Sequence, residues 1–549
     1  MESEGRSATK AAEPLTRWDA VVVGAGFAGM YMLYRLRALG LRVTVLETGD
    51  DVGGTWYWNC YPGARVDVPS LNYSYSFSPD LQQEWSWPEV YSSQPDLLRY
   101  ARHVADRFDL PRDIQFGTTV SRADYDEDAS AWVVHTDAGG RMLAQYLIAA
   151  VGCLSATNVP DYQGLDHFEG EWYHTGRWPK GGVDLSGQRV AVIGTGSSGV
   201  QAIPVIAEQA AHLHVFQRTP NYSIPTYNAP LDPDVEREWK QIYAEHRDRD
   251  HNSAGGIYFP TPERSALDVE PEERQRLFEE GWQKGAFGMM QTFNDLRTDL
   301  RANDTVADFV RQQIKRIVKD PIVAETLCPT GYPLGTKRLC MDTNYFQTFN
   351  RPNVTLVDLR AHPILEMTPT GLRTDQGPYE FDVIVFATGY DAMTGPLLRM
   401  NITGRSGYRL AEKWQDGPRT YLGLGMAGFP NLFTITGPGS PSVLTNMIVS
   451  IEQHVDFIAE MIDNMRRRAV TRIEPDEAAE DAWVAHVYEV SQKTLYKYAE
   501  SWYLGANIAG KPRVFMPYVG GLNAYRRRCD QVAARGYEGF VVTAGSVHA

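Results

Sequence analysis

Two strand–glycine turn–helix units in one chain predict an α/β fold with two dinucleotide-binding, Rossmann-like domains and a mainly helical insertion. Three observations carry this prediction. Gly24-Ala25-Gly26-Phe27-Ala28-Gly29 follows the β-branched run Val21-Val22-Val23. Gly194-Thr195-Gly196-Ser197-Ser198-Gly199 follows Val190-Ala191-Val192-Ile193. Residues 225–333 then turn to helical periodicity and a higher density of charge. One glycine turn is a weak signal, but two behind β-branched runs point to two dinucleotides.

Taken in order, residues 1–17 read as a disordered tail. A strand over 19–23, a helix over 28–39 ended by Gly40, and a strand over 42–46 make the first unit. Gly24 serves the tight turn, Gly26 the approach of a pyrophosphate, and Gly29 close helix–strand packing. Glu47, 18 residues after Gly29, can accept two ribose hydroxyls and repels a 2′-phosphate, so this site fits FAD or NAD. Residues 53–67 read as a loop, yet Trp56, Tyr57, Trp58 and Tyr61 are aromatic. They suit a flat ring such as isoalloxazine; a structural aromatic cluster is the alternative. A helix over 94–108, a meander over 120–136 and a buried strand over 146–151 complete this half.

The second unit differs where the readout residue falls. After a strand over 213–216 comes Arg218, 19 residues beyond Gly199. A guanidinium matches a phosphate in charge and fork geometry, so this site reads as NADPH; a solvated surface arginine is the alternative. The insertion predicts helices over 233–249, 271–284 and 303–319. Strands over 354–359 and 383–386 follow, and Ala387-Thr388-Gly389-Tyr390-Asp391 suits a crossing between domains. Residues 437–442 form a glycine- and proline-rich loop before a helix over 444–464, and 502–525 read as ordered surface loops. The domains are therefore expected at 18–150 with 387–549, and at 151–224 with 334–386, around the insertion 225–333.

The net charge of −15 argues against a nucleic-acid surface. No apolar run reaches a membrane span. Cys60, Cys153, Cys328, Cys340 and Cys529 contain no CxxC pair, which predicts free thiols, a cytoplasmic chain and no disulfide chemistry. No cluster has metal-ligand spacing, so no metal is expected.

Phe168-x-Gly170-x-x-x-His174-x-x-x-Trp178-Pro179 resembles the fingerprint of the Baeyer–Villiger monooxygenases. Gly54-x-Trp56-x-x-x-x-Tyr61-Pro62-Gly63-x-x-x-Asp67 resembles that family's second motif, with Cys60 where the family often has arginine. The resemblance implies FAD, NADPH and O2, with a ketone converted to an ester or lactone through a C4a-peroxyflavin, and sulfides as further substrates. It implies Arg338 as stabiliser of oxygen anions, Asp67 as its ion-pair partner, and His174 as a coupling residue in the linker. For FAD it implies Gly24, Gly26, Ala28, Gly29, Glu47, Thr55, Trp56, Tyr57, Asp67, Tyr73 and Val120. For NADPH it implies Arg65, Asp67, Gly194, Thr195, Gly196, Ser197, Ser198, Gly199, Gln201, Arg218, Thr219, Lys337, Arg338 and Trp502. The substrate pocket is expected at Leu154, Ser442, Val443, Leu444 and Met447, near Cys153. Physics agrees on Arg338: an oxygen anion in a dry site needs a charge that cannot deprotonate, and a buried arginine needs a carboxylate. Asp67 as a turn cap and Lys337 as a solvated charge are the plainer readings. The competing functions are an N- or S-oxygenating flavin monooxygenase and a non-catalytic flavin redox sensor. A monomer or weak homo-oligomer is expected.

Overall fold

A computed structural model describes residues 15–544. Its larger sheet has eight strands. They run Ile402–Thr403, Val120–Asp126, Ala131–Thr136, Arg141–Ala149, Thr16–Val23, Val43–Leu46, Ile114–Gln115, and Leu432–Thr434 also pairs with Arg141–Ala149. Thr16–Val23 lies parallel between its neighbours, with Val22 opposite both Val45 and Ile148. Buried on both faces, such a strand is continuously apolar, as Ala20 to Val23 is. The strand starts earlier than expected. Thr16 and Arg17 pair with Met142 and Leu143 instead of forming a tail, because ladder bonds use backbone and tolerate polar side chains. Residues 1–14 of the expected tail lie outside the described residues.

The helix Phe27–Ala38 buries most of its surface, including Met30, Met32, Leu33 and Leu36. One side meets the sheet and another meets the helix Met447–Arg467, so the helix is apolar almost all round. Asn446 caps that second helix by accepting from Ile448 N at 3.2 Å. Such a cap contributes about 1 kcal/mol.

The second sheet has five parallel strands in the order Val354–Asp358, His212–Gln217, Arg189–Ile193, Val383–Phe386, Glu171–His174. The helix Ser197–Gln209 follows its glycine turn. Between 225 and 333 the described elements are helical: Pro233–Gln241, Tyr243–His251, Pro271–Lys284, Ala286–Gln291, Leu300–Ile317 and Pro321–Leu327. The single helix expected over 233–249 is two, because Ile242 leaves helical geometry at φ −122°, ψ 31°. Asp232, Asp299 and Asp320 each accept backbone N–H bonds at the first turns.

A buried polar knot ties this helical segment to the first half. Arg247 donates to the carbonyls of Asn72 (3.0 Å) and Leu71 (3.2 Å). Asn72 Nδ2 donates to Asp250 (2.7 Å), and Asn446 Nδ2 donates to Asn72 O (2.7 Å). The cap of the long helix, the turn at Leu71 and Asn72, and the insertion are thereby held in one register.

Candidate active site

The first glycine turn is shaped by what a side chain would strike. A Cβ on Gly24 (φ +101°) would lie 2.7 Å from Ala150 O, and one on Gly29 would lie 1.8 Å from Gly24 O. A Cβ on Gly26 would lie 3.4 Å from Gly54 Cα, which leaves a narrow slot of bare backbone. Ala28 is buried in the helix behind it. Glu47 is 5% exposed and accepts from Ala25 N (2.6 Å) and Gly49 N (2.7 Å). Burial pushes its pKa up, and these backbone bonds oppose that rise. Thr118 N donates to Glu47 O at 2.8 Å, which brings the strand that begins at Val120 alongside.

The aromatic segment is not all loop: Thr55–Trp58 is one helical turn that follows Gly54 directly. Trp56, Tyr57 and Tyr61 are buried, and Trp56 Nε1 donates to Tyr73 OH at 3.2 Å. Aromatic burial drives this local turn, which composition alone does not reveal. Cys60 donates to Trp178 O (3.4 Å), and the Lys180 ammonium stands 3.7 Å from the Tyr57 ring centroid. The end of the fingerprint thus docks on this segment, whose Tyr61 OH reaches Gln201 at 2.8 Å on the second helix.

At the second turn a Cβ on Gly194 (φ +112°) would lie 2.5 Å from Ala387 O, and one on Gly199 2.3 Å from Gly194 O. Gly196 faces open space. Thr195 Oγ1 donates to Thr219 O (3.2 Å), and Ser197 Oγ lies 3.6 Å from Cys340 Sγ. Ser198 sits beside the Tyr61 hydroxyl. Arg218 is exposed at the end of His212–Gln217. The Lys337 ammonium stands 4.5 Å from the Tyr332 ring centroid. Burial lowers its pKa first, and Arg218 and Arg360 lower it further. Arg65 lies beside the second helix. Its guanidinium is engaged by Glu89 (3.1 Å) and Tyr91 O (2.9 Å), and its carbonyl by Gln201 (3.1 Å), so only its backbone approaches the second helix.

Arg338 joins these parts. Its Nε donates to Asp67 Oδ2 at 2.8 Å, its Nη2 bonds the same oxygen, and its Nη1 donates to Val443 O at 2.7 Å. The pair is surrounded by protein, yet 30% of the Arg338 side chain and 28% of the Asp67 side chain stay accessible. Burial works against the charge, but Asp67 and Tyr503 hold the guanidinium above its ordinary pKa. Tyr503, absent from the sequence expectation, is buried beside Arg338. Its adjacency to Trp502 was the available signal.

Leu154, Val443, Leu444 and Met447 pack in one cluster with Cys153, Met393, Trp502, Tyr503 and Phe515. Ser442, expected to line the pocket, is fully buried at φ +44°, with its hydroxyl donating to Thr436 O (3.2 Å) and touching Cys153 Sγ (3.0 Å). It shapes the loop from behind. Residues 502–525 are likewise not surface loops throughout: Tyr503, Phe515 and Met516 are core, and the helix Leu522–Ala534 begins there. Apolar contact with the Arg338 side of the cleft overrides their glycine-rich composition.

His174 ends the strand Glu171–His174, opposite Phe386. It is 2% exposed, and Nδ1 accepts from Gly176 N at 3.0 Å. The ring lies beside the backbone of Gly389 and Asn158, and burial lowers its pKa to about 4. It is a neutral residue at the crossing between the two sheets.

Residues 21–255 match the family described as pyridine nucleotide-disulphide oxidoreductase. A Baeyer-Villiger monooxygenase of Pseudooceanicola batsensis is 44% identical over 528 residues, covering 95% of this chain and 96% of that protein. A structure of oxidised steroid monooxygenase bound to NADP is similar at TM-score 0.92 and 50% identity, over 96% of this chain and all of that one. A structure of OTEMO in complex with FAD and NADP gives TM-score 0.93 at 40% identity, over 96% of this chain and all of that one. The chain belongs to the Baeyer–Villiger monooxygenase family.

Proposed function

We propose that the chain is an FAD- and NADPH-dependent monooxygenase that inserts one oxygen atom of O2 beside a ketone carbonyl, giving an ester or lactone. The carrying observation is Arg338, paired with Asp67 between the two glycine turns and beside the apolar cluster. Both cofactors fit the residues present. The Gly26–Gly54 slot and the buried Glu47 suit FAD, and the open turn with Arg218, Thr219 and Lys337 suits NADPH. The division proposed is 18–150 with 387–549, 151–224 with 334–386, and 225–333, and the separation of the strands into two sheets supports it.

FAD held at Gly24, Gly26, Gly29 and Glu47 would supply hydride acceptance from NADPH and the activation of O2. The protein's part is orientation, electrostatics and exclusion of water. Arg338 faces the oxygen charge that develops during transfer to the carbonyl. Asp67 fixes the fork of that guanidinium, and a preorganised charge needs no reorganisation as the reaction proceeds. Leu154, Val443, Leu444 and Met447 exclude water and hold a neutral ketone, and Trp502, packed against the same cluster, would lie against bound NADPH. His174 keeps the crossing turn in place and touches no substrate. We take the chain to be cytoplasmic and a monomer or weak homo-oligomer; the five free thiols support a reducing compartment.

Gas-chromatographic product analysis over aryl, cyclic and steroid ketones tests the reading, with NADPH consumption followed in parallel. Ester formation that tracks NADPH use supports it. Oxidation confined to amines or sulfides, or no ketone-dependent NADPH use, overturns it.

A further inference from the structure

The nicotinamide cofactor's phosphate site as read from sequence contains Arg218, Thr219 and Lys337. The structure brings a third cation to it. Arg360 follows Val354–Asp358, the strand parallel to His212–Gln217, with Asp358 opposite Gln217. Leu359 N donates to Gln217 O (2.8 Å), which continues the ladder beyond the strand end. Arg218 and Arg360 therefore leave the carboxyl ends of adjacent parallel strands, where such sheets bind ligands. Asp358 Oδ1 accepts from Arg360 N at 2.9 Å and holds the turn. Arg360 Nε then donates to Arg218 O at 2.7 Å. One edge of the guanidinium is fixed by this bond, and its two terminal amino groups are free.

Lys337 arrives from a third segment and lies over Tyr332, whose hydroxyl donates to Pro220 O at 2.8 Å. Three cations from three segments thus meet around 217–220. Among the described residues none of the three forms an ion pair. Both arginines bear on Lys337 as repelling charges, and Glu500 is the one carboxylate that offsets them. Two arginines joined through a backbone carbonyl, with an ammonium beside them and no ion pair among the described residues, make a site for a multiply charged anion.

We propose that Arg360 is a specificity-determining residue, binding the 2′-phosphate of NADPH together with Arg218 and Lys337. The inference rests on the reading of the second turn as the NADPH site. Its content is the third cation, which neither the glycine motif nor the readout position of the next strand indicates. A phosphate dianion is met by a bidentate arginine on each flank and by an ammonium on the third side. NADH lacks that phosphate and gains nothing from Arg360.

The test uses the oxidised holoenzyme and needs no ketone. Titration calorimetry measures binding of NADP⁺, NAD⁺ and 2′,5′-ADP to wild type, Arg360→Ala and Arg360→Glu. Arg141→Ala, an exposed arginine on the other sheet, controls for net charge. Arg360→Ala should weaken NADP⁺ and 2′,5′-ADP by about five- to tenfold, the low end for a charge-assisted bond because the site is exposed. Arg360→Glu should weaken them further, while NAD⁺ shifts less than twofold in either variant. Retained flavin absorbance shows that the variants are folded. Equal losses for NADP⁺ and NAD⁺, or unchanged NADP⁺ binding in Arg360→Glu, would overturn the proposal. If Arg218→Ala and Lys337→Ala lose the preference while the Arg360 variants keep it, the site stands and the third cation falls. If no variant alters the preference, the reading of the second turn falls with it.

Discussion

The two glycine turns share a backbone and differ in everything across from it. Gly26 and Gly196 precede their helices at φ −72°, ψ −173° and φ −78°, ψ −171°. In each turn the first glycine abuts a carbonyl from a neighbouring strand end, Ala150 O or Ala387 O. In each the third glycine abuts the first. The first turn is then closed by Gly54 and read by the buried carboxylate of Glu47. The second faces open space, and its proposed readers are the exposed Arg218 and the half-buried Lys337. The motif therefore builds only a phosphate cradle. The loop opposite and the end of the next strand decide which dinucleotide enters and whether it can leave. An enclosed cradle suits a resident flavin; an open one suits a cosubstrate that exchanges.

The largest effect should come from breaking one cradle at a time. Gly29→Ala places a methyl 1.8 Å from Gly24 O, and backbone cannot yield that much locally. We expect colourless or insoluble protein, read from the flavin absorbance of the purified fraction. Gly199→Ala meets Gly194 O at 2.3 Å in the other sheet. It should lose NADP⁺ binding while staying yellow. A yellow, NADPH-reducible Gly29→Ala protein would refute the assignment of the first turn to flavin.

Next in size is Arg338, which belongs to neither turn and serves both. Arg338→Ala should lower ester formation by at least ~10²–10³, the cost of one missing oxyanion donor, because a full charge goes with it. Flavin should remain bound and reducible by NADPH, so that consumed NADPH appears as hydrogen peroxide. Arg338→Lys should recover little, since an ammonium cannot reproduce the fork to Asp67. Stopped-flow reduction without air, followed by ester and peroxide yields in air, makes the distinction. A normal ester yield from Arg338→Ala would end this mechanism even with both cradles correct.

A smaller effect tests the readout residues. Arg218→Ala should narrow the preference for NADPH over NADH by about tenfold, since a charge-assisted hydrogen bond at an exposed site is lost. Unchanged Michaelis constants for NADPH would remove Arg218 from the phosphate site.

Both glycine turns were legible because each lies within one βαβ unit, where spacing alone fixes the backbone geometry. Arg338 and Asp67 were legible only through motif resemblance, since 271 residues separate them. Tyr503 and Arg360 were not read as site residues. Each joins the site through tertiary contact: Tyr503 through a core that composition presents as loops, Arg360 through an adjacent strand 142 residues from Arg218. The single turn Thr55–Trp58 was missed for a related reason, as buried aromatics and not helix propensity hold it. Ser442, a loop serine beside the expected pocket residues, bonds its hydroxyl inward to Thr436 O, a contact that sequence spacing does not show.

The smallest prediction concerns the seam between the halves. Burial lowers the His174 pKa from 6.5 to about 4, and it lowers His214 and His251 to about 4 and His454 to about 3. Each is a base held neutral in the folded state and free to protonate when unfolded. The unfolded chain therefore binds more protons below pH 6.5. Stability is fully present above that pH and is lost as pH falls through about 4. Glu47, whose pKa is raised, acts with the opposite sign: its contribution is present at low pH and lost as pH rises through its folded value. A variant difference separates the two. His174→Gln removes one titrating base and keeps a side chain that can accept from Gly176 N. Between pH 7.5 and 5.5 the wild type should lose about 1 kcal/mol more than the variant, the share of a single histidine with this shift. Denaturant titrations of the holoenzyme at the two pH values measure it. Parallel losses in both proteins would mean that His174 is solvated, and that the crossing turn does not close on it.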